Sequence, residues 1–123
     1  MTHPVPLFRP TLADLIIMAG SRYRLVIDIT CDWETDFTDW TAEMQMRSNR
    51  SATGVLIADL SDYATVSGPA SQVTVDIPAD AAEILGAEMT NGVYDIVIAP
   101  SDDATRALRV VQGTIIIDTE VSR

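Results

Sequence analysis

Two runs near the end of the chain restrict its fold more than any other stretch. Val93-Tyr94-Asp95-Ile96-Val97-Ile98-Ala99 and Ala107 to Ile117 are both rich in β-branched residues, and the polar segment Pro100 to Thr105 separates them. Such side chains fit the pleated surface of a sheet, so the pair predicts an antiparallel hairpin with a loop of several residues. Asn91-Gly92 opens it, and no helix-forming run follows before Arg123. Ile115-Ile116-Ile117 offers apolar side chains to both faces, which predicts a hairpin in the middle of a sheet.

The rest of the chain continues in the same style. Met1 to Pro10 carries Pro4, Pro6 and Pro10, each of which fixes φ and removes a donor, so an extended arm is expected over residues 1–11. Val5, Leu7 and Phe8 are its candidate anchors on a neighbouring subunit, against the simpler reading of a frayed tail. Asp14 to Met18 is a short apolar run closed by Ala19-Gly20-Ser21. Tyr23, Leu25, Ile27 and Ile29 then alternate with Arg24, Asp28 and Thr30, a half-buried strand. A first hairpin is expected between these two runs, turning through Gly20.

Thr41 to Arg47 alternates again, with Ala42, Met44 and Met46 on one face. Val55 to Leu60 is a further strand, and Tyr63 to Ser67 and Gln72 to Ile77 flank the turn Gly68-Pro69-Ala70-Ser71. Pro78 to Gly86 is the one helical segment, one or two turns long. Pro78 suits its start, Asp80 and Glu83 its first turns and Gly86 its stop. Gly113 interrupts the last strand, which predicts a bulge there. About eight strands at short intervals describe an all-β sandwich or barrel, one domain over residues 12–123.

The chemistry of the side chains excludes more than it offers. The formal net charge is -10, and all 8 basic residues are arginine. That balance repels phosphate backbones and anionic membrane surfaces, so neither nucleic acid nor membrane is an expected partner. His3 is the single histidine and Cys31 the single cysteine, too few for a histidine-based triad or for a metal site built on several His or Cys. Cys31 is read as a small apolar filler. Without lysine there is no Schiff-base chemistry. Asp32, Glu34, Asp36 and Asp39 lie close together, but the spacing lacks the glycine and the distal glutamate of an EF-hand. A solvated turn is expected there, with Phe37 and Trp40 tucked into the core. Asp102 and Asp103 are likewise expected at a solvated hairpin tip. No catalytic residue, metal or cofactor is expected. The N-terminus lacks the basic-then-apolar pattern of a signal peptide, so the chain is expected to fold in the cytoplasm.

Three segments carry a resemblance. Asp36-Phe37-Thr38-Asp39-Trp40-Thr41-Ala42-Glu43-Met44-Gln45-Met46-Arg47 is similar to a D-L-T-G-Y-T-A-x-M-Q-V-R stretch. Thr74-Val75-Asp76-Ile77-Pro78-Ala79 is similar to a T-V-x-I-P-A strand-to-helix entry. Gly92, Tyr94, Asp95, Ile96 and Ile98, then Arg109, Gly113, Ile115, Ile117, Glu120, Val121, Ser122 and Arg123, match a closing pattern. Together they cover roughly residues 12–123 and resemble a broad group of small virion proteins of tailed phages and prophages. Asp39 replaces the usual Gly and Trp40 the usual Tyr. The resemblance implies an Ig-like β-sandwich serving as a building block of the particle. It further implies virion proteins as partners, homo-oligomers, and a place at the tail, baseplate or fibre attachment. The alternatives are capsid decoration and a glycan-binding module using Trp33, Trp40 and the acidic loop.

Overall fold

The structure, a computed structural model, describes residues 11–31, 36–49, 54–88 and 91–119 of the 123. Among them are nine strands in two sheets and one α-helix. The larger sheet places β8 (Asn91–Pro100) between β9 (Leu108–Asp118) and β4 (Trp40–Arg47), all antiparallel. β5 (Leu56–Asp59) closes the β4 side. β1 (Thr11–Leu12) and β2 (Leu15–Met18) run parallel to β9 on the other side. The smaller sheet has the order β3 (Tyr23–Asp28), β7 (Gln72–Ile77), β6 (Ala64–Ser67), and α1 (Ala79–Glu88) links β7 to β8. This is an Ig-like β-sandwich, in which a B-E-D sheet faces a G-F-C-C′ sheet. Neither β3 nor β8 holds a cysteine, so the inter-sheet disulfide of antibody domains has no counterpart here.

The expected hairpin is the centre of the larger sheet, and the period-two pattern sorts its side chains. Tyr94, Ile96, Ile98, Ile115 and Ile117 point inward and meet Ala42, Met44 and Met46 from β4 and Val73, Val75 and Ile77 from β7 in one apolar core. No polar or charged residue is buried among the described residues. Phe37 and Trp40 are both buried, as expected of the aromatics in that turn.

Several local expectations are corrected. Leu15–Met18 forms no hairpin with Tyr23–Asp28. Gly20, at φ +83°, turns the chain from one sheet into the other, and β2 pairs in parallel with β9 instead. The helix spans ten residues and passes through Gly86, which is no stop. A Cβ on Gly86 would come 3.0 Å from Ala19 Cβ and 3.2 Å from Ile117 Cγ2, so glycine lets the helix lie close to β2 and β9. The bulge in β9 lies at Val110, which is skipped between the pairs Ile96–Val111 and Val97–Arg109, and not at Gly113. Ile116 is directed to the outer face, where it remains exposed, so the mid-sheet strand is covered on one face only.

Gly113 has a different task. It pairs with Tyr94, and a Cβ there would overlap the Ala13 carbonyl oxygen. Without that side chain the Tyr94 hydroxyl reaches across β9 and donates to Ala13 O at 2.5 Å. Ala13 N–H donates to Gln112 O (3.0 Å), while Thr114 N–H donates to Asp14 Oδ1 (3.0 Å) in place of the diverted carbonyl. Gly113→Ala is expected to cost about 2–3 kcal/mol through forced displacement of β1. Tyr94→Phe should cost about 1 kcal/mol for one lost hydrogen bond. Urea melts of both variants check this order, and equal stability of Gly113→Ala and wild type would contradict the packing.

Candidate functional site

Three connections meet at one end of the sandwich: the segment before β4, the β6–β7 turn and the β8–β9 loop. A Cβ on Gly68 would lie 2.7 Å from Thr38 Cα, Ile29 N–H donates to Ser71 O (2.8 Å), and Ser101 N–H donates to Asp39 O (3.1 Å). Phe37 and Trp40 stack edge to face, with ring centroids 4.9 Å apart. The Arg106 guanidinium covers the outer side of Trp40 at 5.5 Å from the ring centroid. Asp36, Thr38, Asp39, Ser101, Asp102 and Arg106 rim an open polar hollow above it.

The acidic residues here build turns. Asp36 accepts from both the backbone N–H (3.0 Å) and the hydroxyl (2.7 Å) of Thr38. Asp59 does the same for Ser61, and Asp103 for Thr105. The repeated Asp-x-Ser/Thr spacing is the signal that residue-by-residue reading missed: each carboxylate closes a local turn two residues ahead. Ser61 Oγ also accepts from Met44 N–H (3.1 Å), and Leu60 N–H donates to Met44 O (2.7 Å). This continues the β4–β5 ladder where the chain leaves for the smaller sheet. No group of three or more potential metal ligands forms among the described residues. Trp40 is covered by protein on both sides and offers no flat platform for a sugar, and Trp33 lies outside the described residues.

Hydrogen bonds from Thr38, Ser61 and Thr105 hold Asp36, Asp59 and Asp103 below the usual carboxylate range. The Arg22 fork, at 2.9 and 2.6 Å, does the same to Asp76 across β3 and β7. A depressed carboxylate contributes stability above its unfolded pKa of about 3.9 and loses it as pH falls through the lower folded value. Stability is therefore expected to decline below about pH 4. Asp103→Asn should show a shallower decline than wild type. The difference between the two proteins separates this effect from the general relief of charge repulsion. Parallel acid titrations of the two are the check.

Asp39 sits at φ +65°, a left-handed conformation that a glycine adopts without cost. The glycine at the equivalent place in the resembling pattern would adopt this conformation freely. Asp39→Gly is expected to leave stability unchanged or raise it by up to ~1 kcal/mol, whereas Asp39→Val lowers it. Chemical denaturation of the pair tests this.

The other candidate surface is apolar. Leu12, Ile16, Met18 and Ile116 are 75%, 61%, 46% and 43% exposed, on adjacent strands β1, β2 and β9. Ile16 is paired with Ile116, so the two share the outer face. The arm anchors Val5, Leu7 and Phe8, and the acidic residues Asp32 and Glu34, lie outside the described residues. A second apolar hollow lies between β5 and α1, lined by Leu60, Tyr63, Pro78, Ala81, Ile84 and Leu85.

The resembling segments map largely onto this framework. Trp40, Ala42, Met44 and Met46 are inward residues of β4, Ile77-Pro78-Ala79 is the entry to α1, and Tyr94 and Gly113 form the bridge to Ala13. No family model matches the sequence, and no curated protein does. Among solved structures the chain is similar to the extracellular domain of the voltage-gated sodium channel beta4 subunit. That protein is described as forming parallel homodimers with a role in cell-cell adhesion. The identity is 10%, the TM-score 0.47, and 96% of this chain and 100% of that one are covered. A likeness this distant carries no argument about role.

Proposed function

We propose that this chain is a structural subunit of a tailed-phage or prophage particle, placed at the tail, baseplate or fibre attachment, where it acts as one of many copies. The observation that carries the reading is the exposed apolar patch of Ile16, Met18 and Ile116, with Leu12 exposed further along beyond Asp14, on a strongly acidic protein. Large apolar side chains grouped on adjacent strands are a feature of surfaces that meet other proteins. The charge of -10 keeps unassembled copies apart in solution, while Ile16, Met18 and Ile116 form an uncharged patch between Asp14 and Asp118. The resembling segments supply the link to phage particles. Capsid decoration uses the same physical properties and is the alternative within this reading.

The expected outcome is that the protein purifies with particles from cells producing them, in multiple copies each, and fractionates with tails after heads and tails are separated. Quantitative mass spectrometry of each fraction is the measurement. Recovery with heads would move the protein to the capsid. Its presence in the lysate but in neither fraction would remove the particle reading altogether.

A further inference from the structure

The hollow between β5 and α1 has a lining that core packing does not explain. α1 meets the sandwich through its smallest residues. Ala82 is fully buried, and a Cβ on Gly86 would touch Ala19, Ile117 and Thr119. That contact leaves Ile84 outside, 63% exposed, on the side of the helix that lines the hollow. Asp80, Ala81, Ile84 and Leu85 all line it, and residues four apart form one stripe of a helix. The other wall is the end of β5 and the turn that follows, with Ala58, Asp59, Leu60 and Tyr63. A helix side that met only water would be polar throughout, and Ile84 breaks that rule where it borders a cavity. The hollow measures ≈ 300 Å³. That is the low end of the range for ligand sites, room for an anchoring side chain rather than a domain.

The charge around the hollow has one sign. Asp59 and Asp80 are its charged lining residues, and between Arg50 and Arg106 the chain has nine carboxylates and no basic residue. The bonds made by the two carboxylates are local. Asp59 Oδ1 accepts from the N–H and hydroxyl of Ser61, and Asp80 Oδ1 from Ala81 N–H (2.9 Å). The second oxygen of each retains acceptor capacity. The polar hollow at the loop end differs, because Arg106 supplies positive charge there from within the chain.

We propose that the hollow between β5 and α1 docks a short segment of a different protein, one that carries a large apolar side chain next to an arginine or lysine. The apolar side chain seats against Leu60, Ile84 and Leu85, and the cation is drawn to Asp59 and Asp80. Tyr63 suits the same occupant, since an aromatic ring attracts a cation and packs against its apolar stem. Charge selects against a second copy, because each copy carries -10 and would bring carboxylates to carboxylates. The site lies at the opposite edge of the larger sheet from β2, so it is separate from the patch of Ile16, Met18 and Ile116. It does not depend on the particle reading.

Selection of a random heptapeptide display library on the immobilised full-length chain tests it. Recovered peptides are expected to carry Leu, Ile, Phe or Trp adjacent to Arg or Lys. The best of them, made synthetically, is then titrated against wild type and variants by fluorescence anisotropy. Ile84→Ser should weaken binding about tenfold through lost apolar contact. Asp80→Asn, which keeps the acceptor for Ala81 N–H, should weaken it about threefold at low salt and hardly at all at high salt. Ile16→Ser, at the far edge, should bind as wild type does. Where Ile84→Ser lowers the melting temperature, Asp80→Asn decides alone. No enrichment overturns the proposal, as does enrichment of acidic or purely polar peptides, or binding that Asp80→Asn leaves unchanged at low salt. Self-association of the wild-type chain in sedimentation that Ile84→Ser abolishes would give the hollow to a second copy and overturn it too. Peptide binding without recovery of the protein in particles would leave the groove contact standing and remove the particle reading, and the reverse would do the opposite.

Discussion

The meeting of Tyr94, Gly113 and Ala13 is the contact on which the larger sheet depends. β9 must accept β8 on one side and the parallel pair β1 and β2 on the other, although the first segment breaks at Ala13 and Asp14. Gly113 supplies the space, the Tyr94 hydroxyl takes the diverted carbonyl, and Asp14 replaces the missing acceptor for Thr114. Three polar groups of a broken ladder are thus satisfied by neighbours rather than left bare, which matters because an unpaired group near a core costs as much as a hydrogen bond returns.

From that arrangement follows the uneven character of the surface. The smaller sheet is faced with a cross-strand network: Arg22 forks onto Asp76, and Gln72 donates to Asp28 (3.0 Å). On the larger sheet, Asp95 and Arg109 lie 3.3 Å apart, whereas Ile16, Met18 and Ile116 stand exposed together on β2 and β9. Exposed ion pairs add little to stability; they keep a face wet and unattractive to other strands. The apolar patch lacks that protection. A chain whose like charges repel its copies elsewhere has there a short uncharged stretch at which association is physically open.

The loop end shows how acidic residues can be misread when taken singly. Asp32, Glu34, Asp36 and Asp39 raise the idea of an ion site; of these Asp36 is occupied by Thr38, and in the adjoining β8–β9 loop Asp103 is occupied by Thr105. The rings of Phe37 and Trp40 anchor the same loops from below, with Arg106 above. The result is a set of closed turns over an apolar plug, with the charge displayed outward.

Strand identity was legible wherever the period-two pattern was strong, because alternation along a strand alone decides which side chains a sheet can bury. Tyr23 to Thr30, Thr41 to Arg47 and the closing hairpin all fall in this group. The sequence alone did not determine which strands pair. Leu15–Met18 has the same pattern whether it folds back on Tyr23–Asp28 or crosses to β9, and only the turn at Gly20 and the space at Gly113 select the second. Gly86 and Gly113 read locally as a stop and a bulge, but their role is close approach to elements distant in sequence. Tertiary packing decided those, and it decided which apolar residues remain outside: Ile116 is as hydrophobic as Ile115 and Ile117, and only the placement of the second sheet on one face separates them.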